Sequence, residues 1–223
     1  MTELWLILLP LAIGSAVVPV QLLVTILLLR APGGRAAAVA WVAGMTTVRL
    51  VQGLVFGLVL EGAHVAGGGR SQFESAVLVV LAVVFYIAAL RKYLKVPDED
   101  SPPPRWMTML DGATPGRAYV LGVGLLGIAA KSWVFTLGAI GAIADADLAP
   151  ATAGVTYLVF VLLAQGLHLA ILGAAFAAPA RAEAALASLS TYLERYDRPI
   201  LIAFSLVFGT WFLLQGLSGL GIV

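Results

Sequence analysis

Two positively charged side chains, Arg49 and Lys131, stand near the middle of long apolar stretches of the sequence. A cation at the centre of a bilayer costs about 2.5–3.5 kcal/mol on insertion scales, and no Asp or Glu lies inside these stretches to pair with it. Two such cations indicate a water-filled cavity or an anionic ligand, and Arg and Lys bind phosphate, sulfate and carboxylate well. The alternative is that backbone carbonyls and Gln side chains cap both cations, which then have no further role.

Five uncharged polar side chains in the same stretches extend this candidate site. Gln52 lies three residues after Arg49 and Gln165 lies three residues before His168, so each pair shares a helix face. Such polar faces could line a transport path, and hydrogen bonding between helices is the alternative. The predicted substrate-binding residues are Arg49, Lys131, Gln21, Gln52, Ser132, Gln165 and His168.

The residue types and motifs that the sequence lacks disfavour several kinds of chemistry. The chain has no cysteine and no HExxH or GxSxG motif, and its apolar stretches contain no paired acids. His168 is the one His at depth, whereas a site for a divalent metal or a cationic amino acid would offer carboxylates or several His. The net charge of +1 and the absence of a basic stripe indicate no nucleic-acid partner. We therefore predict no enzyme activity, no cofactor and no metal site.

The elements that hold these residues must be membrane-spanning helices. Of the 223 residues, 61% are hydrophobic and 11% are charged, with a mean hydropathy of +1.01, whereas soluble domains carry about 25% charged residues. A transmembrane helix needs about 20 mostly apolar residues. Six stretches qualify, and they predict an all-α integral membrane protein with six transmembrane helices: Leu4–Leu29, Ala36–Leu60, Phe73–Leu94, Ala118–Ile143, Thr152–Ala177 and Pro199–Gly221.

The basic residues between these spans and at their ends, such as Arg91 and Lys92 of the third span, are strongly biased toward one side. The connections between spans 1 and 2, 3 and 4, and 5 and 6 carry ten cations, whereas the opposite side, with both termini, carries only Arg70. The positive-inside rule therefore predicts three cytoplasmic connections and both termini outside the cytoplasmic (inner) membrane. In the last of these connections, 178–198, the helical spacing of Leu186, Leu189, Leu193 and Tyr196 predicts a short amphipathic surface helix, with an ordinary polar loop as the alternative.

Two halves of three helices follow from this arrangement, residues 1–95 and 118–223, joined by the cytoplasmic linker 96–117. Because each half has an odd number of spans, the halves have opposite orientations, as in the inverted repeats of secondary transporters. With an offset of 110 residues, Gly14 aligns with Gly124 and Gln21 aligns with Lys131. We predict helix breaks in spans 1 and 4 at Pro19, Gly14 and Gly127.

Several short segments carry a resemblance to a known family. They are Arg105-Trp106-Met107, Leu110-Asp111, Thr114-Pro115-Gly116-Arg117-Ala118, Gly127-Ile128-Ala129-Ala130-Lys131-Ser132-Trp133, Asp145-Ala146-Asp147-Leu148-Ala149-Pro150, Tyr192-Leu193 and Arg198-Pro199, together with Pro19 and Gln21. In these segments the chain resembles the glycolipid- or sulfolipid-addressing protein (GAP) family of the lysine-exporter (LysE) superfamily. The family usually has Asn-Pro-Lys where this chain has Ala129-Ala130-Lys131, so the Lys is kept, whereas the Asn and the helix-breaking Pro are absent.

This resemblance implies a LysE-like fold of two inverted three-helix repeats and a role in moving an envelope lipid or its precursor across the cytoplasmic membrane. An anionic lipid also fits the two buried cations. We therefore predict a transporter of an anionic lipid or glycolipid precursor. The alternatives are an exporter of a small anionic or zwitterionic metabolite or amino acid, and a non-transporting scaffold for envelope-lipid synthesis. Small residues on several helices would permit a homodimer.

Overall fold

The computed structural model describes residues 1–65, 70–94, 110 and 112–222, without the side chains of 58–65, 70–74, 76, 77, 81, 130, 131, 179–186, 190, 194 and 197. Over these ranges the chain forms nine α-helices and no β-strand, which confirms the predicted all-α class. The helices are α1 (Thr2–Ala16), α2 (Pro19–Arg30), α3 (Arg35–Val65), α4 (Arg70–Leu94), α5 (Pro115–Ile128), α6 (Ala130–Asp145), α7 (Pro150–Ala164), α8 (Gly166–Ala177) and α9 (Pro179–Gly219). Residues 95–109 and 111, which include most of the predicted linker, lie outside the described ranges.

The length and hydropathy of these helices fit the width of a membrane. Arg35–Gly57 of α3 and Arg198–Gly219 of α9 are each long and apolar enough to cross it. The pairs α1–α2, α5–α6 and α7–α8 meet the same criteria when each pair counts as one bent span, so the described residues offer up to five spans. Part of the predicted third span, in α4, has side chains outside the described set. The helices support the prediction of a membrane protein.

The first bent span breaks where Pro19 was predicted to interrupt it. α1 ends at Ala16 and α2 begins at Pro19, with a bend of 52° between them. Proline suits the first position of a helix because it has no N–H to donate to a preceding turn. Gly14 does not break the helix, because it lies inside α1, and that part of the prediction was wrong. A Cβ added at Gly14 would lie 2.5 Å from Cζ of Phe208, so this glycine makes room for an aromatic ring.

The second bent span breaks at Ala129. This residue has an extended backbone (φ −73°, ψ 94°), and α5 and the helix that follows it are bent by 70°. The break therefore exists without the Asn-Pro pair of the family pattern. Gly127 is still helical, which corrects its prediction as the breaking residue. Its carbonyl, freed at the helix end, accepts a hydrogen bond of 2.7 Å from Nε1 of Trp133.

The third bent span was not predicted to break. α7 and α8 meet at Gln165 with a bend of 59°. Gln165 caps both helices (φ −97°, ψ 0°), and Gly166 begins the second one. A Gln-Gly pair is a much weaker indication of a helix break than a proline is. For this reason the sequence patterns did not predict this break.

In the part of the chain whose side chains are described, three apolar clusters hold the helices together. The largest joins α1, α4, α6, α7 and α9 around buried aromatic rings. In it the rings of Phe135 and Phe208 meet edge to face, with centroids 4.9 Å apart, a favourable geometry for aromatic pairs. The second cluster joins α2, α3 and α5, and the third joins α2, α8 and α9. The clusters surround the broken helices and fix their positions.

The segment 178–198 is helical, as its spacing predicted, but it is not a separate surface helix. α9 runs for 41 residues from Pro179 to Gly219 and contains Pro199 in its interior. Leu193 is buried against Leu22, Ile26 and Ala175, so α2 and α8 cover the apolar face that was predicted to lie on the membrane surface. The span predicted to begin at Pro199 agrees with the apolar part of α9, Arg198–Gly219, but the helix continues through Pro199, because a proline inside a membrane helix is tolerated where neighbouring groups satisfy the freed backbone atoms.

The interface between α3 and α5 depends on glycine and yields a first prediction. A Cβ added at Gly122 would overlap the Trp41 carbonyl oxygen of α3, whereas one added at Gly124 would meet nothing within 4 Å. Small residues allow this close backbone approach. Gly122→Ala should therefore lower the free energy of unfolding by about 1–3 kcal/mol, measured by thermal unfolding in detergent. Gly124→Ala is the matched control and should leave stability unchanged, and equal losses would contradict the assigned contact.

Candidate functional site

Arg49 lies in the interior, on the inward face of α3. Its side chain is 1% exposed, and Nη1 donates to the hydroxyl oxygen of Thr136 on α6 at 3.4 Å, which is a long hydrogen bond. Nε has no hydrogen-bond partner, and no carboxylate forms an ion pair with Arg49, among the side chains that the structure describes. The guanidinium is thus removed from water and incompletely satisfied, an arrangement with a high free-energy cost unless a ligand completes it.

Tyr157 of α7 fixes the backbone beneath this guanidinium. Its hydroxyl donates to the carbonyl oxygen of Arg49 at 2.6 Å. Its ring lies against Gly53, where a Cβ would overlap it, so the glycine allows α7 to approach α3 at this turn. The position of Arg49 is therefore set by packing and hydrogen bonding together.

His168 and Trp41 meet at the hydroxyl of Thr25. Nε1 of Trp41 donates to Thr25 Oγ1 at 3.0 Å, and Nδ1 of His168 lies 2.9 Å from the same oxygen. Thr25 donates its single proton to the carbonyl oxygen of Gln21 at 3.0 Å. With that proton used, the His168 contact requires the imidazole proton on Nδ1, which leaves Nε2 as an acceptor. Nε2 is buried and has no partner among the described residues.

Two glutamines span neighbouring helices in a similar way. Nε2 of Gln21 lies 3.5 Å from Oγ of Ser132 at the start of α6, and Nε2 of Gln165 donates to Thr46 at 3.1 Å. The side-chain oxygens of both glutamines are buried without a partner in the described part of the chain. Each glutamine is held through its N–H and keeps a free acceptor.

Gln52 differs from the other polar side chains because neither of its amide atoms has a described partner. The residue is 3% exposed, and both Nε2 and Oε1 are buried. Leaving one buried polar group unpaired costs about 1–3 kcal/mol. A side chain with two such atoms, one turn from Arg49, is a candidate contact for a ligand.

These contacts form one connected set across four broken or neighbouring helices. Arg49 donates to Thr136, which shares a face of α6 with Ser132. Ser132 lies within hydrogen-bonding distance of Gln21, whose carbonyl oxygen accepts from Thr25. Thr25 in turn contacts His168. We call this set, with Gln52 and Gln165, the polar core. Lys131 lies in the first turn of α6 beside Ser132, but its side chain is outside the described set. The structure thus brings six of the seven predicted binding residues into one interior region.

Five contributors were missed by the sequence patterns: Thr25, Trp41, Thr46, Thr136 and Tyr157. Two could have been found, because Thr25 follows Gln21 by four residues and Thr136 follows Ser132 by four, which places each pair on one helix face. Trp41 and Tyr157 are amphipathic residues whose polar atoms are invisible to an apolar pattern. Their roles required the tertiary structure.

The polar core offers a particular combination of free groups. Among the side chains that the structure describes, it has one cationic donor without a partner, Arg49 Nε, one complete amide, Gln52, and three acceptors, Gln21 Oε1, Gln165 Oε1 and His168 Nε2. A ligand that satisfies all of them carries an anionic group and several hydroxyl donors. Within the described ranges, no three His, Asp or Glu side chains are grouped so as to hold a metal ion.

Comparison with known proteins identifies the family. No curated protein and no solved structure gives a significant match. A family model described as Sap, sulfolipid-1-addressing protein, matches residues 8–218, nearly the whole chain. This match agrees with the resemblance to glycolipid- or sulfolipid-addressing proteins. The chain therefore belongs to the family of Sap, the sulfolipid-1-addressing protein.

Proposed function

We propose that this protein is a transporter that moves an anionic lipid or glycolipid precursor across the cytoplasmic membrane. The observation that carries the proposal is the buried guanidinium of Arg49, which has a long hydrogen bond at Nη1 and no described partner at Nε. Membership of a sulfolipid-addressing family supports involvement in lipid addressing or export. A sulfate or phosphate head group would supply the missing negative charge and accept from the guanidinium.

The other free groups favour a head group that carries hydroxyls. The unpartnered oxygens of Gln21 and Gln165 and the Nε2 of His168 are acceptors, which a sugar or glycerol hydroxyl satisfies by donation. In this proposal Arg49 and Lys131 bind the anionic group, while Gln21, Gln52, Ser132, Gln165 and His168 line the path. A simple inorganic anion would leave the three acceptors unpaired.

Two inverted repeats of three spans remain the architecture that we propose, as in LysE-type exporters. Adding 110 to Val18, in the first break, gives Ile128, which adjoins Ala129 in the second. Interrupted helices at matching places in two halves are typical of transport sites. The breaks would allow the half-helices to tilt around the polar core.

Contacts between the ends of the helices support the proposed placement of the three basic connections on one side of the membrane, which we propose is the cytoplasmic side, with both termini outside. The guanidinium of Arg35, at the start of α3, lies 5.5 Å from the ring centre of Phe176 at the end of α8. Arg198 donates to the carbonyl oxygen of Tyr93, near the end of α4, at 2.5 Å. The basic connections therefore lie beside one another, as the positive-inside rule requires of connections on one side.

Reconstitution tests the proposal against its alternatives. Purified protein in phosphatidylcholine liposomes should speed the exchange between leaflets of an acyl-labelled fluorescent phosphatidylglycerol, measured by quenching with dithionite. Labelled phosphatidylcholine is the control and should exchange at the rate of protein-free liposomes. Equal acceleration of both lipids would contradict an anion site.

Other outcomes of this assay assign other functions. Uptake of a labelled amino acid or small anion without lipid movement would indicate the small-metabolite exporter. No movement of either, with intact protein, would indicate a scaffold that binds membrane lipid without moving it. We propose no enzyme activity, and a lipid-modifying activity lost in His168→Ala would overturn that view. Cross-linking in the same liposomes would reveal a homodimer.

A further inference from the structure

The first part of α9, residues 179–198, lies over the two half-helices that follow the first and third breaks. Leu193 is 4% exposed and belongs to one buried cluster with Leu22 and Ile26 of α2 and Ala175 of α8. Among the side chains described from 187 to 198, Leu193 alone is buried, and the others are exposed or half-buried. Leu193 is therefore the principal attachment of this segment among the described side chains.

Leu193 covers a seam between α2 and α8 whose inner side is the polar core. Thr25 and Ile26 are neighbours on α2, so their side chains point to adjacent faces, about 100° apart around the helix. The hydroxyl of Thr25 meets Nδ1 of His168 on α8, whereas Ile26 packs in the cluster of Leu193. The seam therefore has a hydrogen-bonded polar pair on its inner side and an apolar cover on its outer side.

Both half-helices run toward the proposed cytoplasmic side, since α2 ends at Arg30 and α8 ends at Ala177, beside the basic connections. We propose that residues 179–198 form a lid that swings away from α2 and α8 at Pro199 and opens the polar core to lipid of the cytoplasmic leaflet. The proposal rests on the transport function proposed above and names the route by which the head group enters.

Pro199 provides the point at which α9 can bend. Proline has no N–H, so the carbonyl of Arg195, four residues earlier, receives no helical hydrogen bond from it, and sharp bends of helices are commonest at proline. Immediately before the proline, Arg198 donates to the carbonyl oxygen of Tyr93 at 2.5 Å. This contact ties α9 to the end of α4, so the lid pivots about a fixed point.

The part of α9 beyond Pro199 is held more firmly than the lid. Phe212 is 2% exposed and lies in the aromatic cluster that joins α9 to α4 and α6. A Cβ added at Gly216 would lie 2.8 Å from the carbonyl oxygen of Ser75 on α4, so the two backbones are in close contact. Motion of α9 should therefore be confined to the lid.

Cysteine labelling tests the motion independently of transport, because the chain has no cysteine of its own. Ala175→Cys places a thiol beneath the lid. Ala37→Cys is the matched control, since Ala37 is also buried near a proposed cytoplasmic helix end, in a cluster without α9 residues among the described side chains. In nanodiscs that contain phosphatidylglycerol, a water-soluble maleimide should label Ala175→Cys at least tenfold faster than Ala37→Cys. Equally slow labelling of both variants would overturn the lid.

Removal of the hinge gives a second test. Pro199→Ala restores an N–H for the carbonyl of Arg195, so it should slow both the labelling of Ala175→Cys and phosphatidylglycerol exchange by about fivefold or more. Pro10→Ala is the matched control, because Pro10 also lies inside a helix, α1, and it should leave both rates within about twofold of wild type. Unchanged rates in Pro199→Ala would contradict the hinge.

Locking the lid separates this proposal from the transport function. In a protein with Leu193→Cys and Ala175→Cys, a short bis-methanethiosulfonate cross-linker should lower phosphatidylglycerol exchange at least tenfold, and a reductant should restore it. The control carries Ser75→Cys and Gly219→Cys, where a Cβ added at Gly219 would lie 3.1 Å from Cβ of Ser75, and its cross-link should leave exchange within about twofold.

The outcomes distinguish the two proposals. A cross-linked lid that still allows the full rate of exchange would overturn the lid and leave the transport proposal standing. Fast labelling of Ala175→Cys that slows in Pro199→Ala, in a protein that moves no lipid, would support the lid and overturn the transport proposal.

Discussion

Arg49→Gln should reduce the exchange of anionic lipid to the rate of protein-free liposomes while the protein stays folded. Glutamine cannot supply the positive charge, and charge-assisted hydrogen bonds contribute about 1.5–3 kcal/mol, which corresponds to at least tenfold in head-group affinity. Stability should be equal or higher, because removal of a desolvated cation also removes an insertion cost of about 2.5–3.5 kcal/mol. Both quantities are measurable on one preparation, by lipid exchange and by thermal unfolding.

Two further variants separate charge from geometry. Arg49→Lys keeps the charge but lacks the planar set of donors, so we expect partial exchange. Lys131→Met should abolish exchange and leave folding intact, since this cation is predicted to share the head group. If Arg49→Gln exchanges lipid normally but unfolds at lower temperature, Arg49 is a structural residue and the site assignment fails.

Thr25→Val should be the most destabilising conservative change in the polar core. Valine keeps the shape of threonine but removes the oxygen on which Trp41 Nε1 and His168 Nδ1 converge. Each buried donor left unpaired costs about 1–3 kcal/mol, so the pair should cost about 2–6 kcal/mol. Thermal unfolding in detergent measures this loss.

The control for this variant is Thr191→Val. Thr191 makes the same hydrogen bond to the carbonyl four residues earlier, that of Ala187, but it is exposed. Its replacement should change stability by less than about 0.5 kcal/mol. A Thr25→Val protein as stable as this control would show that the Thr25 contacts to Trp41 and His168 contribute little.

The sequence predicted the positions of the helices well because hydropathy and length are strong signals. Predicted spans 1, 4 and 5 correspond to the three bent helix pairs, and Pro19 begins α2 as expected. Proline acts through its own ring and missing N–H, so its effect can be read from one position. The bend at Gln165 has no such local cause, and it could not be predicted.

Glycine was the least reliable signal. Gly14 and Gly127 were predicted to break helices, yet both are helical, and Gly14 instead accommodates Phe208. A glycine inside an apolar stretch gives no indication of whether it bends its own helix or makes room for a neighbouring one. That distinction depends on contacts between helices, which a single sequence does not contain.

The candidate site was predicted from an energetic argument. An unpaired cation in hydrocarbon has a high free-energy cost, so a buried Arg or Lys without an acidic neighbour indicates a ligand or a water-filled cavity. This reasoning predicted Arg49 and Lys131 as site residues, and helix spacing paired Gln52 with Arg49 and Gln165 with His168; these assignments stay predictions. It did not identify the network on Thr25, since a threonine in a membrane helix is commonly satisfied by its own backbone. The hydrogen-bond partners, and hence the free acceptors, follow only from the tertiary structure.

The most direct measurement of Arg49 as a head-group site is an electron cryomicroscopy structure of the protein in nanodiscs that contain phosphatidylglycerol. We expect density for the phosphate within hydrogen-bonding distance of the Arg49 guanidinium. Density that shows Arg49 Nε bound to a protein oxygen, with lipid absent from the polar core, would contradict the proposed site.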